Sequence, residues 1–406
     1  MYTMNFIKTG LSNVFIYGCG LVVVNGLSLL MLPFYTRQFV PAEYAIITLI
    51  LTCIPFSRYC LPMEICQAAP IFSSDDEKNS SRYLSVGLWF AIGMNLITYV
   101  LILLANSVFH FIPYSSFYVL CIFILLAVDC IYYYSSNILR WQLRQFLYNF
   151  IISGTAILEV CLTVLFVVYF KLAILGVFYS WIISRLLGMT ANFIATRHLY
   201  KFTFNLSVLR NMLSFSFPLL LSNIPFNINR AFDRWIIASV IGMSAVGIYS
   251  AGATIGGIIN FIMASLSAAL TPFIYKNHAN KDAPAEITKL FYIVVTLCMF
   301  VAMFFALFNK DVLSVLVAKD YYVNLANTPI VPVIVLSAIF SGLTTFAPGL
   351  SIKKKTRYVI WFNLISLLVN SAFAFLLIFK FGILGVAFAT LASILINTLL
   401  YMIFSQ

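Results

Sequence analysis

Tyr169-Phe-Lys-Leu-Ala-Ile-Leu-Gly-Val177 returns 209 residues later as Ile378-Phe-Lys-Phe-Gly-Ile-Leu-Gly-Val386, identical at six of nine positions. Helix starts that contain glycine resemble one another, but an offset close to half of a 406-residue chain argues for an internal repeat. Each copy lies in a short break between two long apolar runs, the fifth and sixth of its half. Both halves would then enter the bilayer in the same sense, as parallel repeats. A weaker echo pairs Pro41-Ala42-Glu43-Tyr44-Ala45 with Met243-Ser244-Ala245-Val246-Gly247, each just ahead of the second run of its half.

The composition around these copies belongs to a membrane protein: 63% of residues are hydrophobic, 9% are charged, and the mean hydropathy is +1.02. A bilayer crossing needs about 20 apolar residues as a helix. Windows of that length lie near 12–33, 44–71, 83–105, 117–138, 147–170 and 173–195, then near 211–232, 244–272, 287–308, 326–348, 357–379 and 382–404. The expected fold is therefore an all-α integral membrane protein of about twelve transmembrane helices. They would form two parallel six-helix bundles, 1–200 and 201–406, around a central cavity. The first window exceeds a signal-peptide core and lacks a convincing cleavage site, so it is expected to be retained.

A net charge of +12 would in another protein suggest nucleic acid. Here the basic residues are scattered through short connectors, and their distribution sets orientation instead. With the N-terminus inside, fifteen Lys and Arg fall in inner connectors and six in outer ones, leaving Arg58, Arg185 and Arg230 within windows. By the positive-inside rule both termini are expected to be cytoplasmic.

Six ionisable residues sit at membrane depth: Arg58, Glu64, Asp129, Glu159, Arg185 and Arg230. Each costs about 2.5–3.5 kcal/mol on insertion scales, so together they approach ~15–20 kcal/mol. Such a set is expected to face a hydrated cavity or to pair internally. Several guanidinium groups in one cavity suit a pyrophosphate, since each offers planar charge-assisted donors that stay protonated. The alternative, neutralisation by the acids, stays open, and for Arg230 it takes the form of a local pair with Asp233. Arg58 and Glu64, six apart, do not share a helix face. Asp129 and Glu159 would either bind a coupling ion or simply balance the arginines.

The seventh window, Pro218-Leu-Leu-Leu-Leu-Ser-Asn-Ile-Pro225-Phe-Asn-Ile-Asn-Arg230, holds two prolines and three asparagines, a composition expected to kink a helix. Tyr132-Tyr133-Tyr134 with Trp141 reads as an interfacial aromatic belt. All eight cysteines fall in apolar segments without a close CxxC pair, so neither disulfides nor a metal site is expected. There is no GxxxxGK[ST] loop, HExxH motif or evident catalytic triad, and His110, His198 and His278 lie apart. The longest outer connector, about 309–325, is short for the acceptor chemistry of a membrane glycan polymerase. A transporter without cofactors is expected rather than an enzyme.

Leu32-Pro-Phe-Tyr-Thr-Arg37 followed by Glu43-Tyr44, then Phe217-Pro218, Asp233-Arg234, Gly247-Ile-Tyr249-Ser250 and Lys353-Lys-Lys-Thr356 occur in an order and spacing that span nearly the whole chain. In these the sequence resembles the O-antigen and polysaccharide flippases, the Wzx-like members of the polysaccharide transport family within the multidrug/oligosaccharidyl-lipid/polysaccharide exporter superfamily. It departs from that pattern at Ala45, where Gly is common. The resemblance implies two six-helix bundles around a central cationic cavity in a bacterial cytoplasmic membrane. It also implies translocation of an undecaprenyl-pyrophosphate-linked oligosaccharide, an O-antigen or capsule repeat unit, from the cytoplasmic to the periplasmic leaflet by alternating access. Arg37, Arg58, Arg185, Arg230 and Arg234 become candidates for the diphosphate and sugar path, and Asp129 and Glu159 for ion coupling. Expected partners are the glycolipid, membrane lipid, and a polymerase and chain-length regulator of the same pathway. A cation-coupled multidrug exporter is the main competing expectation, and a membrane-embedded polymerase or acyltransferase a more distant one.

Overall fold

A computed structural model of the chain describes residues 20, 22–109, 116–142, 144–201, 203–263, 266–267, 283–347, 349 and 357–405. The protein is an all-helical membrane protein. Among the described residues nine helices are long and apolar enough to cross a bilayer, or ten if Lys319–Ala326 and Ile330–Phe346, bent by 73°, make one span. Two expected windows fall outside that count. Of the window near 12–33, only residue 20 and residues 22 onward are described, and 22–38 are helical (α1). The window near 211–232 lies within the helix Leu206–Val240. Asn223, Pro225, Asn227 and Asn229 interrupt the apolar run, yet the helix continues.

The helices that matter below are α2 (Pro41–Pro55), α3 (Ile65–Asp75), α4 (Ser80–Phe109), α5 (Ser116–Trp141), α6 (Gln145–Val164), α7 (Ala173–Thr196), α8 (Leu206–Val240) and α9 (Met243–Gly256). They are followed by α10 (Ala283–Leu307), α11 (Asn309–Leu316), α12 (Lys319–Ala326), α13 (Ile330–Leu343), α14 (Arg357–Phe381) and α15 (Ile383–Phe404). The chain divides into two compact units. One comprises Met1–Leu27 and Ile50–Ile224, the other Ser28–Leu49 and Pro225–Gln406.

In the first unit α3, α4, α5 and the start of α8 enclose a core that includes Ile65, Leu84, Val86, Tyr134 and Met212. Lipid tails are as apolar as leucine, so helices here are held by close packing and interhelical hydrogen bonds rather than by exclusion of water. Gly188 of α7 shows the packing: a Cβ there would meet Thr155 of α6 and the ring of Tyr132 of α5. Asn137 Nδ2 donates to the Cys66 carbonyl at 2.6 Å, and Asn192 Nδ2 to Ser136 Oγ at 2.8 Å.

The second window is one span with a break inside it. After Pro55 the chain widens into a π-helical turn over Phe56–Cys60, and Met63 and Glu64 follow with φ of 50° and 58°. Left-handed backbone in two successive non-glycine residues is strained and tends to mark functional positions. The π turn inserts one residue and so re-aims the side chains around it, Arg58 among them.

The repeated nine-residue stretch differs in backbone between its copies: Phe170–Leu172 leave the helix, with φ of 54° at Lys171, whereas the equivalent Phe379–Phe381 remain in α14. Ala173 and Gly382, equivalent by the 209-residue offset, have φ of 46° and 56° and open α7 and α15. Gly176 and Gly385 are the points of closest approach: a Cβ on Gly176 would lie 3.1 Å from the Phe166 carbonyl carbon, and one on Gly385 would strike the Leu377 carbonyl. The two copies thus share a positive φ at the helix start and a close-packed glycine three residues on, but not the path that leads into them.

In the second unit a Cβ on Gly247 of α9 would strike the Pro41 carbonyl of the Ser28–Leu49 segment. The 309–325 stretch, expected as a connector, is instead folded into α11 and most of α12. Tyr321 explains why: it is fully buried, donates its hydroxyl to the Phe39 carbonyl at 2.9 Å and meets the Tyr44 ring edge-on.

Candidate functional site

Four of the six intramembrane ionisable residues converge in the first unit. Asp129 lies midway along α5 and is fully buried. Arg58, presented by the π turn, grips it through two hydrogen bonds, Nε to Oδ2 at 2.6 Å and Nη2 to Oδ1 at 2.8 Å. Arg185 of α7 donates Nε to Asp129 Oδ1 at 2.6 Å and Nη1 to Glu159 Oε2 of α6 at 2.7 Å. The order is Arg58, Asp129, Arg185, Glu159. A carboxylate at bilayer depth is costly alone, and here each of its oxygens is held by at least one guanidinium.

The network is graded in exposure. The side chains of Asp129, Arg185, Arg58 and Glu159 are 0, 12, 26 and 26% exposed. It lines a cavity of about 210 Å³ whose wall also contains Tyr132, Tyr133, Arg140, Tyr148 and Thr155. The Arg58 guanidinium stands 5.2 Å from the centre of the Tyr133 ring, which packs edge-on with Tyr59. That arrangement buries cationic charge against π faces without cancelling it.

The wall is built from two helix faces. Tyr132, Tyr133, Ser136, Asn137 and Arg140 recur at helical spacing along α5, with Asp129 buried behind them one turn earlier, and Tyr148, Ile152, Thr155 and Glu159 do so along α6. The expected aromatic belt at Tyr132–Tyr134 is therefore corrected. Tyr132 and Tyr134 are buried, and the Tyr134 hydroxyl donates to the Leu84 carbonyl at 2.6 Å. Their 100° spacing turns them toward neighbouring helices instead of along the interface.

The other expected residues lie elsewhere. Glu64 pairs with neither arginine; it is buried at the break and accepts from Asn223 Nδ2 at 2.7 Å. Arg37 is exposed and belongs to the second unit. The side chain of Arg230 lies outside the described residues. Arg234, also in the second unit, donates Nε to Ser250 Oγ at 3.1 Å. The local pair expected for Asp233 with Arg230 falls on that undescribed side chain. The Asp233 carboxylate accepts from Asn370 and Thr390, some 140 and 160 residues away, and from Tyr249.

Chemically, the first unit offers three arginines against two acids around one cavity, Arg140 being the contributor not singled out beforehand. An anion with two or more negative charges fits such a surface by displacing the more exposed acid. The second unit offers a carboxylate surrounded by neutral donors.

Comparison with known proteins gives a consistent picture. Residues 35–323 match the family described as polysaccharide biosynthesis protein. A candidate O-antigen transporter of Shigella flexneri is 23% identical over 180 residues, a stretch covering 44% of this chain and 43% of that protein. Among solved structures, an inward-facing multidrug resistance MATE family transporter of the MOP superfamily superposes with a TM-score of 0.71 at 14% identity, over 96% of this chain and 93% of the other. An outward-facing MATE structure gives 0.67 at 14% identity, over 97 and 94%. A MOP superfamily transporter from Pyrococcus furiosus, for which reverse polarity of the binding pocket is taken to suggest a different function, gives 0.64 at 14% identity, over 96 and 94%. At these identities the likeness establishes the fold.

Proposed function

The chain belongs to the polysaccharide biosynthesis protein family, and from that premise we propose that it is a flippase for a lipid-linked oligosaccharide. The substrate class is an undecaprenyl-pyrophosphate-linked repeat unit of O-antigen or capsule. It is moved from the cytoplasmic to the periplasmic leaflet of a bacterial inner membrane by alternating access. Both termini are cytoplasmic in this reading, as the fifteen-to-six bias of basic residues requires. A polymerase and a chain-length regulator are the partners that would consume the flipped product.

The observation that carries the proposal is the chain Arg58–Asp129–Arg185–Glu159 on the wall of an aromatic-lined cavity. Asp129 serves as the fixed spacer: fully buried and gripped from both sides, it holds the two guanidinium groups in place when no ligand is bound. Glu159 is the exchangeable end. A diphosphate entering the cavity takes its place on Arg185 and uses the free N–H groups of Arg58, so no guanidinium is left uncompensated on either side of the exchange. Tyr133 and Tyr148 offer faces and hydroxyls to the first sugar. An exporter of cationic drugs would need the opposite balance of charge.

The decisive experiment is complementation of a flippase-deficient strain with lipid-linked intermediates measured. Arg58→Ala is expected to abolish surface glycan at unchanged protein level, and Arg58→Lys to restore it only partly because an ammonium cannot grip bidentately. Full export by the alanine variant would refute the diphosphate role.

A further inference from the structure

The first unit carries a second concavity that shares no described lining residue with the Arg58 cavity. It has a volume of about 510 Å³ and is lined by Met63 and by seven residues of α8 between Leu206 and Pro218. Those of α8 recur as neighbouring pairs, 209 and 210, 213 and 214, 217 and 218, so one face of its first turns forms the wall. Val208 and Met212 of the same turns are packed into the core of the unit. The groove side is open, with Leu206 and Phe217 73 and 50% exposed. The helix climbs about 18 Å from Leu206 to Pro218, close to one leaflet's share of a hydrocarbon core about 30 Å thick. A groove this apolar at that depth is a surface for lipid rather than for water.

Two features separate it from ordinary lipid-facing helix. First, among the described residues that line it Arg210 alone is charged, and it is exposed. Ser214, the other polar member, donates its hydroxyl to the Asn211 carbonyl at 2.8 Å, which leaves Arg210 as the group in the lining that can engage an anion. A guanidinium takes a phosphate through two parallel N–H bonds. Arg210 stands one turn from the start of α8, at the depth of lipid headgroups, where basic side chains between helices select anionic lipids. Arg82 and Lys201 reinforce the charge at that end, since they adjoin Tyr83 and Tyr200, which pack against the same core as Leu209.

Second, the facing wall is Met63, one of the two successive residues with left-handed backbone and five residues beyond Arg58 in the break of the second span. Its unbranched thioether adapts to an irregular apolar partner.

We propose that this groove binds one anionic phospholipid from the leaflet at the start of α8, its phosphate on Arg210 and one acyl chain along Leu213, Phe217 and Met63. The groove is one leaflet deep, a length that an acyl chain fills and the far longer undecaprenyl chain overruns. In the reading above, the diphosphate of the glycolipid goes to Arg58 and Arg185, so Arg210 serves a separate headgroup. The bound lipid packs against the strained break that carries Arg58, whichever glycan, if any, the protein moves.

Native mass spectrometry of the purified full-length protein, titrated with phosphatidylglycerol and phosphatidylcholine of the same acyl chains, tests this, together with thermal unfolding in each lipid. The wild type is expected to retain one phosphatidylglycerol about tenfold more tightly than phosphatidylcholine, or 1.4 kcal/mol, and to melt higher with it. Arg210→Ala, at an exposed position, is expected to lose both effects, and Arg210→Lys to keep part of them. Leu213→Trp, which fills the groove, is expected to weaken both lipids, while Arg58→Ala should keep the preference. Equal retention of the two lipids by the wild type, an unaltered preference in Arg210→Ala, or full binding by Leu213→Trp would each overturn the proposal. So would loss of the preference in Arg58→Ala, which would move the anion to the cavity. Tighter, Arg210-dependent retention of undecaprenyl phosphate would overturn it in favour of the glycolipid's own chain.

Discussion

Asp129 and Asp233 are the same side chain at comparable burial in two units of one membrane protein, and their surroundings solve the same electrostatic problem in opposite ways. Asp129 is balanced by Arg58 and Arg185, so its charge is answered within the first unit. Asp233 is met by Asn370, Thr390 and Tyr249, so its hydrogen bonds come from neutral dipoles. The first arrangement holds a carboxylate between cations. The second holds one among neutral donors. Burial of a carboxylate therefore predicts a cost but not a role; the role follows from whether the partners carry charge.

The contrast makes its largest prediction for removal of the two acids. Asp129→Ala leaves two guanidinium groups facing each other and is expected to destabilise the protein by about 3–5 kcal/mol. Asp233→Ala strips acceptors from neutral donors and is expected to cost about 1–3 kcal/mol. Thermal or denaturant unfolding in detergent measures both. Equal losses would show that the two sites are not built on different principles.

A smaller effect is expected at Glu159. It is a quarter exposed, so Glu159→Gln should cost no more than about 1 kcal/mol. The same change removes the competitor for Arg185, and a soluble pyrophosphate-linked lipid analogue is expected to bind several-fold tighter. Weaker binding would mean that Glu159 contacts the ligand rather than yielding to it.

The smallest effect concerns the repeat. Gly382, at φ of 56° and ψ of −135°, sits where side chains are rarely tolerated, so Gly382→Ala is expected to cost roughly 1–3 kcal/mol, and Ala173→Gly to relieve a smaller strain at φ of 46°. A larger change at Gly382 than at Ala173 in unfolding experiments would establish that the two connectors are built differently. A neutral Gly382→Ala would refute this.

Much of the candidate site was present in the sequence as a pattern of threes and fours. Asp129, Tyr132, Tyr133, Ser136 and Arg140 mark one face of α5, and Tyr148, Thr155 and Glu159 mark one face of α6. The position of Tyr132–Tyr134 near the end of an apolar window suggests a belt, whereas helical phase sends them to different neighbouring helices. Arg58, Asp129, Glu159 and Arg185 were legible as a set, since each is an ionisable residue within an apolar window. Their pairing was not, because it joins positions 71, 56 and 26 residues apart and depends on a π turn that shifts the phase of Arg58.

Hydropathy alone determined that the chain crosses a membrane repeatedly, because the bilayer tests every window of about 20 residues independently of all others. The recurrence of Phe-Lys-x-x-Ile-Leu-Gly-Val is legible for a similarly local reason, but the path of the chain through it is not, since the two copies differ in backbone. What gathered around each buried charge was decided by tertiary structure. Asn370 and Thr390 are unremarkable polar residues in apolar helices, and only helix packing brings them to Asp233. In a bilayer, where helices gain little from hiding apolar surface, such long-range polar contacts fix which faces meet. They are also what sets one carboxylate between arginines and the other among neutral donors.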